Sequence, residues 1–432
     1  MSVIRPKLPE DPIEYQPAAG FVLAGSSPSR RDVAEAGLER ARKNVLERAR
    51  KDLLGGADVV RPDQLLDAYN VGGARASSQL FAVLQAARRM RDTVDRVIVL
   101  GDGCGPLGSR AIFESCAHPC HNDLSRGERG GRPRLSFVVS PLDNDAMQGL
   151  LDLVAPAGKS RGSDLLDQWA IIVGGTTDGD AGRAAATRLL LAALLESVGG
   201  DHAELAHRVV PITAQSGGVA NLAASLGCAS VFTIPEDGGE GGAVFTPQGL
   251  LPAAVVGIDV VRLLQGAAAM NRRFYEAPVA DNPVLQFAAV SRLMAEQGGM
   301  ARVFASASSQ LSAVGRWHSR LTATAHRGLP LITNLVVREP RRDPLIVPAL
   351  AASAANADGL DHLTGTSWPD LLAATHAVHA SPVHASPEQP SDTILLPRVD
   401  EHSIGQLLQF LVLANLVARK SPDAEEPVGG AS

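Results

Sequence analysis

Apolar residues fall in short blocks through the first half of the chain, and their spacing alternates between two kinds. Val97–Leu100, with three β-branched residues, reads as a buried strand. Blocks at Leu135–Val139, Trp169–Val173, Val209–Ile212 and Ser230–Thr233 predict further strands. Between them, helical spacing runs through Pro106–Cys116, Asn144–Val154, Ala184–Val198 and Gly218–Leu226. Such alternation predicts a parallel sheet covered on both faces. Upstream, Arg31–Leu54, Asp63–Tyr69 and Ala76–Arg91 are helical in period, while residues 1–30, rich in Pro, Gly and Ser, are expected over the surface or against a partner subunit. Downstream, Gly249–Phe274 predicts one long apolar helix, a spine between domains. A second alternation follows: helix Asn282–Glu296, strand Arg302–Ala305, helix Gln310–Ala323, strand Leu329–Val336, helix Pro369–Val378, strand Thr393–Leu396 and helix His402–Arg419. Ser381–Asp392, with three prolines and no periodicity, reads as a loop, and the polar tail 421–432 is expected to fray.

At 432 residues and 45.0 kDa the chain can bury a large core. The pattern divides it into an N-terminal extension and helix (1–60), a first α/β domain (61–250), a second (251–420) and a tail (421–432). The net charge of −6 and the lack of a long basic run argue against nucleic acid as a partner. Four cysteines do not make a disulfide framework in a chain of this size. No apolar run reaches the roughly 18–20 residues of a membrane span. The N-terminus lacks the apolar core of a signal peptide, so a cytoplasmic protein is expected, with no membrane partner and no cofactor.

The strand Val97–Leu100 runs into a turn holding Gly101, Gly103, Gly105 and Gly108, and then a helix. Such a turn lets backbone N–H groups approach an anion at a helix start. A dinucleotide would need an acidic residue about 20 residues on, closing the next strand; here that strand begins only near Leu135. A phosphosugar turn fits better, but it usually supplies hydroxyls, and this one supplies Asp102 and Cys104. Glycines serving only close packing are the other reading. The second strand-to-helix turn, Val173–Gly182, offers Thr176 and Thr177 to a phosphate, yet Asp178 and Asp180 would repel it. Those two aspartates with the threonines are a candidate Mg²⁺ site. Cys116, His118, Cys120 and His121 resemble a metal cluster, but their spacing is unusual and they have no second cluster, so a surface loop is the expectation. His318, His326, His362, His376, His379 and His384 are expected to be solvated or capping, and His402 to pair with Asp400 or Glu401. No nucleophile motif is present.

From about Tyr69 to Ala418 the order of residues resembles the glucose-6-phosphate isomerase family, in blocks that include His118–Arg134 and Asp400–Gln409. The resemblance implies two sugar-isomerase domains, flavodoxin-like three-layer αβα units with parallel sheets, plus N-terminal helices and a C-terminal helix. It also implies aldose–ketose isomerisation of a 6-phosphate through an enediol, a phosphosugar or other small anion as ligand, and a homodimer as the common assembly. In the family a glutamate moves the proton, a histidine and a lysine assist, an arginine steadies the negative intermediate, and Ser and Thr hydroxyls hold the phosphate.

The carried-over positions depart from that pattern. The family's Gly-Ile-Gly-Gly-Ser-x-Leu-Gly is Gly101-Asp-Gly-Cys-Gly-Pro-Leu-Gly108 here, so Gly105 stands where the family has serine. Only Thr177 keeps a matching hydroxyl in the second turn, beside Thr176. The arginine position falls at about Gly241, and no arginine lies between Arg208 and Arg262. After Trp317–Ala323 the chain passes through Thr324–Pro330 to Leu331, omitting about 25–30 residues by family proportions, among them the base glutamate and a histidine segment. The family's final lysine segment has no match, and Lys420 is too early. A non-catalytic relative is therefore expected. Its degraded phosphate turns would be Gly101, Gly103, Gly105, Thr176 and Thr177, with His326 and Glu401 as the remaining acid–base candidates. An active isomerase with substitute residues would draw on Glu114, His326, Arg327 and Glu401. A changed sugar or anion ligand, for a binding or regulatory protein, is the third reading.

Overall fold

The computed structural model describes residues 12–17, 43, 62–70, 75–101, 103–138, 143–154, 164–175, 180–234, 242–296, 302–322, 331–339, 343–348, 361–367, 370–371 and 391–419. Strand β1 (Glu14–Gln16) is followed by α1 (Pro62–Asn70), α2 (Gln79–Thr93), β2 (Arg96–Leu100) and α3 (Cys104–Cys116). Next come β3 (Arg134–Val138), α4 (Asn144–Val154), β4 (Trp169–Gly174), α5 (Ala181–Ser197), α6 (His202–Arg208), β5 (Val209–Thr213), α7 (Gly218–Leu226) and β6 (Phe232–Thr233). The second half holds α8 (Pro247–Val255), α9 (Val260–Glu276), α10 (Pro283–Glu296), β7 (Arg302–Ala305), α11 (Ser312–Thr322), β8 (Leu331–Glu339), β9 (Ser391–Arg398) and α12 (Glu401–Arg419).

The first sheet has the order β3-β2-β4-β5-β6, parallel throughout. Its strands are apolar on both faces, as a doubly covered sheet demands. Val97 and Val99 join one buried cluster; Ile98 and Leu100 join another on the opposite face. The second sheet has the order β1-β9-β8-β7, where β7, β8 and β9 are parallel and β1 runs antiparallel on the edge. Residues 12–17 therefore do not lie over the surface: Ile13 and Tyr15 are buried, and the Tyr15 hydroxyl donates to Asp392 Oδ2 at 2.7 Å.

Helix starts follow local chemistry. Ser78 caps α2 through Phe81 N–H at 3.3 Å, and Asp201 caps α6, a helix the apolar pattern does not predict, through Ala203 N–H at 2.8 Å. The spine expected over Gly249–Phe274 is two helices. Gly257, at φ +80°, turns the chain left-handed, and Asp259 starts α9 afresh by accepting from Arg262 N–H at 3.0 Å. Helix α12 is buried along most of its length and crosses α9 closely: Gly405 sits on the Leu263 carbonyl and Gly266 on that of His402. Among the described residues no helix is long and apolar enough to cross a membrane.

The expected helices Arg31–Leu54 and Pro369–Val378 fall outside the described residues, apart from Lys43, Asp370 and Leu371. So do Asp102, Thr176, Thr177, Asp178, Gly241, His326, Arg327 and the tail 421–432.

Candidate functional site

The first sheet reverses its winding between β2 and β4, since the chain passes from β2 to β3 on one side and returns to β4 on the other. In open parallel sheets the ligand crevice lies outside the carboxyl ends of the strands at that reversal. Leu100 pairs with Val173 in register, so the two glycine turns that follow are neighbours. A Cβ on Gly101 would lie 3.1 Å from the Gly174 carbonyl oxygen and 2.7 Å from Pro106 Cγ. Gly103, at φ +65°, forms the start of α3 and makes no side-chain capping bond.

A buried side chain lies against the described glycines of these turns. Thr246 caps α8, its hydroxyl accepting from Gln248 N–H at 3.2 Å. Pro247 occupies the first helical position, where its missing N–H costs nothing. This start aims Gln248, which is buried, at the glycines of α3 and β4. A Cβ on Gly105 would overlap the Gln248 amide, lying 2.8 Å from its Cδ, and one on Gly174 would lie 3.5 Å from its Nε2. Gly105, expected in a phosphate turn, is thus a contact glycine against Gln248. Gly108 serves packing as well: its Cβ would meet Val244 at 2.9 Å and Trp317 Nε1 at 3.1 Å. Sequence reasoning missed Gln248. Its signal was a single amide in the otherwise apolar run Leu250–Val256 and Ala243–Phe245 that flanks it.

Asp180 caps α5, accepting from Arg183 N–H at 2.9 Å and from the Arg183 guanidinium at 2.7 Å. These bonds, the backbone N–H first, hold its carboxyl below the usual range. An anion already sits at this helix start, and it belongs to the chain.

The other candidates lie elsewhere. Glu114 is on the last turn of α3, roughly 16 Å along the helix from Gly103. It pairs with Arg110 at 2.6 Å and Arg316 at 2.8 Å, in the wall of a cavity of about 450 Å³ shared with His118, Asn122 and Gln310. Glu401 is buried in the first turn of α12. There Asp400 pairs with Arg262 at 3.0 Å and accepts from Ser403 N–H at 2.8 Å, while His402 Nδ1 accepts from Gln406 Nε2 at 3.2 Å. The Cys/His group is dispersed. Cys116 is buried in the core, His118 Nδ1 accepts from Cys120 N–H at 3.0 Å, and His121 Nε2 meets the Pro133 carbonyl at 3.0 Å. Burial and then nearby arginines lower the His121 pKa despite that bond. Among the described residues no group of three or more His, Cys, Asp or Glu could hold a metal. His318, expected at a solvated or capping position, is instead buried beside Phe304 and Phe287.

No protein-family model matches the chain. Among curated proteins, the glucose-6-phosphate isomerase of Bacillus cytotoxicus is 25% identical over 356 residues, covering 77% of this chain and 76% of that protein. That of Heliobacterium modesticaldum is 26% identical over 356 residues, covering 76% of each. The chain is similar to the glucose-6-phosphate isomerases. The fold agrees. A glucose-6-phosphate isomerase structure from Chlamydia trachomatis superposes with a TM-score of 0.63 at 14% identity, covering 92% of this chain and 82% of that one. A hypothetical protein of Thermus thermophilus reaches a TM-score of 0.73 at 18% identity, covering 96% of each chain. The sheets and helices described above are therefore a sugar-isomerase, three-layer αβα architecture.

Proposed function

We propose that this chain keeps the sugar-isomerase scaffold without isomerase turnover and acts as a binding or regulatory subunit. The observation that carries the reading is Gln248, whose buried amide lies against Gly105 and Gly174 at the strand ends. Two sequence features support it: glycine where the family has a phosphate-binding serine, and no arginine between Arg208 and Arg262 to stabilise an enediolate. Losing one acid–base group typically costs a factor of about 10²–10⁴ in rate. Losing the fixed positive charge and the phosphate hydroxyls in addition removes both ground-state binding and transition-state stabilisation. The test is a coupled assay of fructose 6-phosphate formation from glucose 6-phosphate with the full chain. No turnover above background is expected. A rate near an ordinary enzyme's, around 10 s⁻¹, would overturn the proposal in favour of an active phosphosugar isomerase with substitute residues.

A further inference from the structure

A second concave site lies at the opposite pole of the first sheet, beside the amino ends of β2, β3 and β4. Its volume is about 690 Å³, and its wall includes Arg88, Arg91, Asp92, Arg126, Gly130 and Gly131. Arg88 and Arg91 stand three residues apart near the end of α2 and so share a face. Among the described residues neither guanidinium is bonded to a carboxylate or a carbonyl. Arg126 is fixed in place by bonds to the Val94 carbonyl at 3.0 Å, the Arg91 carbonyl at 2.6 Å and Asp95 at 2.9 Å.

The charge behind the wall does not balance this. Asp95 is buried and is shared by Arg126, Arg129 and Arg134, one carboxylate for three guanidinium groups. Arg132 lies against Gly257, close enough to Arg91 to act on its charge. Burial first, then the neighbouring Arg132 and Arg88, depress Arg91 below the normal arginine range against the opposing pull of Asp92. Two nearby carboxylates are engaged: Glu128 accepts from Ser125 N–H at 2.9 Å and its hydroxyl at 2.6 Å, and Asp164 from Leu166 N–H at 3.0 Å; Asp92, in the wall itself, offsets part of the Arg91 charge. A structural duty explains Arg126, which closes the negative end of α2. It does not explain the part-buried Arg91 or the exposed Arg88, whose like charges repel. Among the described residues, a Cβ on Gly131 would meet nothing within 4 Å.

We propose that this cavity binds a phosphate-bearing small molecule, gripped by Arg88 and Arg91 with Arg126 as a prepositioned third cation. Guanidinium groups match phosphate oxygens two at a time, and the volume leaves room for an organic part beside the phosphate. The site is independent of the strand-end crevice and of any isomerase activity.

The experiment is calorimetric titration of the full chain at low ionic strength with inorganic phosphate, pyrophosphate, glucose 6-phosphate and ATP. Saturable binding of at least one probe is expected. It should weaken at least tenfold in Arg88→Ala/Arg91→Ala and fall between the two in Arg88→Lys/Arg91→Lys, which keeps the charge without the planar fork. A charge-matched control, Arg110→Ala/Arg316→Ala, should bind as the wild type does. Unchanged melting temperatures show that the variants fold. Tighter binding of an ester than of inorganic phosphate identifies a phosphorylated metabolite as the source; the reverse identifies free phosphate or pyrophosphate. No saturable binding at millimolar probe overturns the proposal. So does binding that Arg88→Ala/Arg91→Ala leaves intact, or that the control weakens equally.

Discussion

His318 shows how one residue couples this fold to pH. It lies on the buried face of α11, its ring edge-on to Phe304 with centroids 4.7 Å apart and to Phe287 at 6.5 Å. Burial, with the charge of Arg302 in support, lowers its pKa from 6.5 to about 3. Arg302 is held by Asp392 at 2.5 Å, so the positive charge stays beside the ring. The folded state therefore keeps His318 neutral while the unfolded chain protonates it below pH 6.5. The stability it contributes is complete above that pH and is lost progressively as pH falls toward 3. Between pH 7.5 and 5 this one group costs about 2 kcal/mol. Urea unfolding at both pH values should show the wild type losing that much more stability than His318→Leu. Equal losses in the two proteins would mean that His318 takes up its proton in the folded state.

The α3–α8 contact is where an element boundary and a candidate site coincide. Gly105 lets the start of α3 close onto Gln248, and the serine found there in the resembling family would have to displace the buried amide. Gly105→Ser alone should cost about 1–3 kcal/mol, the usual range for overpacking. Gln248→Ala removes the obstructing amide, so Gly105→Ser/Gln248→Ala should lie well above the sum of the two single losses, with a coupling of at least about 1 kcal/mol. Chemical denaturation of the four proteins measures it, and simple additivity would mean that the two side chains do not compete for the crevice. Much of this element was legible in sequence. The block Val97–Leu100 is a strand, and it runs directly into the glycines. The occupant was not legible, because Gln248 reaches the crevice from a helix more than 140 residues away and only tertiary packing decides that. The same limit applies to Glu14–Gln16, three residues whose pairing with β9 lies nearly 380 positions along the chain. The break at Gly257 could have been read, since a glycine followed two residues later by an aspartate is a stop and a start.

At the scale of the whole molecule, the two sheets share one core. The larger buried cluster takes Val97, Val99, Ala170 and Ile172 from the first sheet and Leu335, Ile394 and Leu396 from the second. Helices α3, α8, α9 and α12 lie between them in the same cluster. Polar contacts cross at the same place: Ser115 donates to the Gln310 carbonyl at 3.1 Å, and Arg316 pairs with Glu114 at 2.8 Å. We propose the division into units near residue 250 as a boundary of topology; in packing it falls inside α8, which spans Pro247–Val255. Chains of this length commonly unfold in stages. A shared core argues otherwise, because exposing either sheet strips apolar cover from the other. Two tryptophans report on the two regions. Trp169 is buried in the cluster confined to the first sheet, and Trp317 in the shared core beside Gly108. In variants retaining only Trp169 or only Trp317, urea unfolding followed by fluorescence should give the same midpoint, matching the loss of helical circular dichroism. If Trp317 is released first, the interface opens while the first sheet stands, and the boundary near residue 250 divides stability as well as topology.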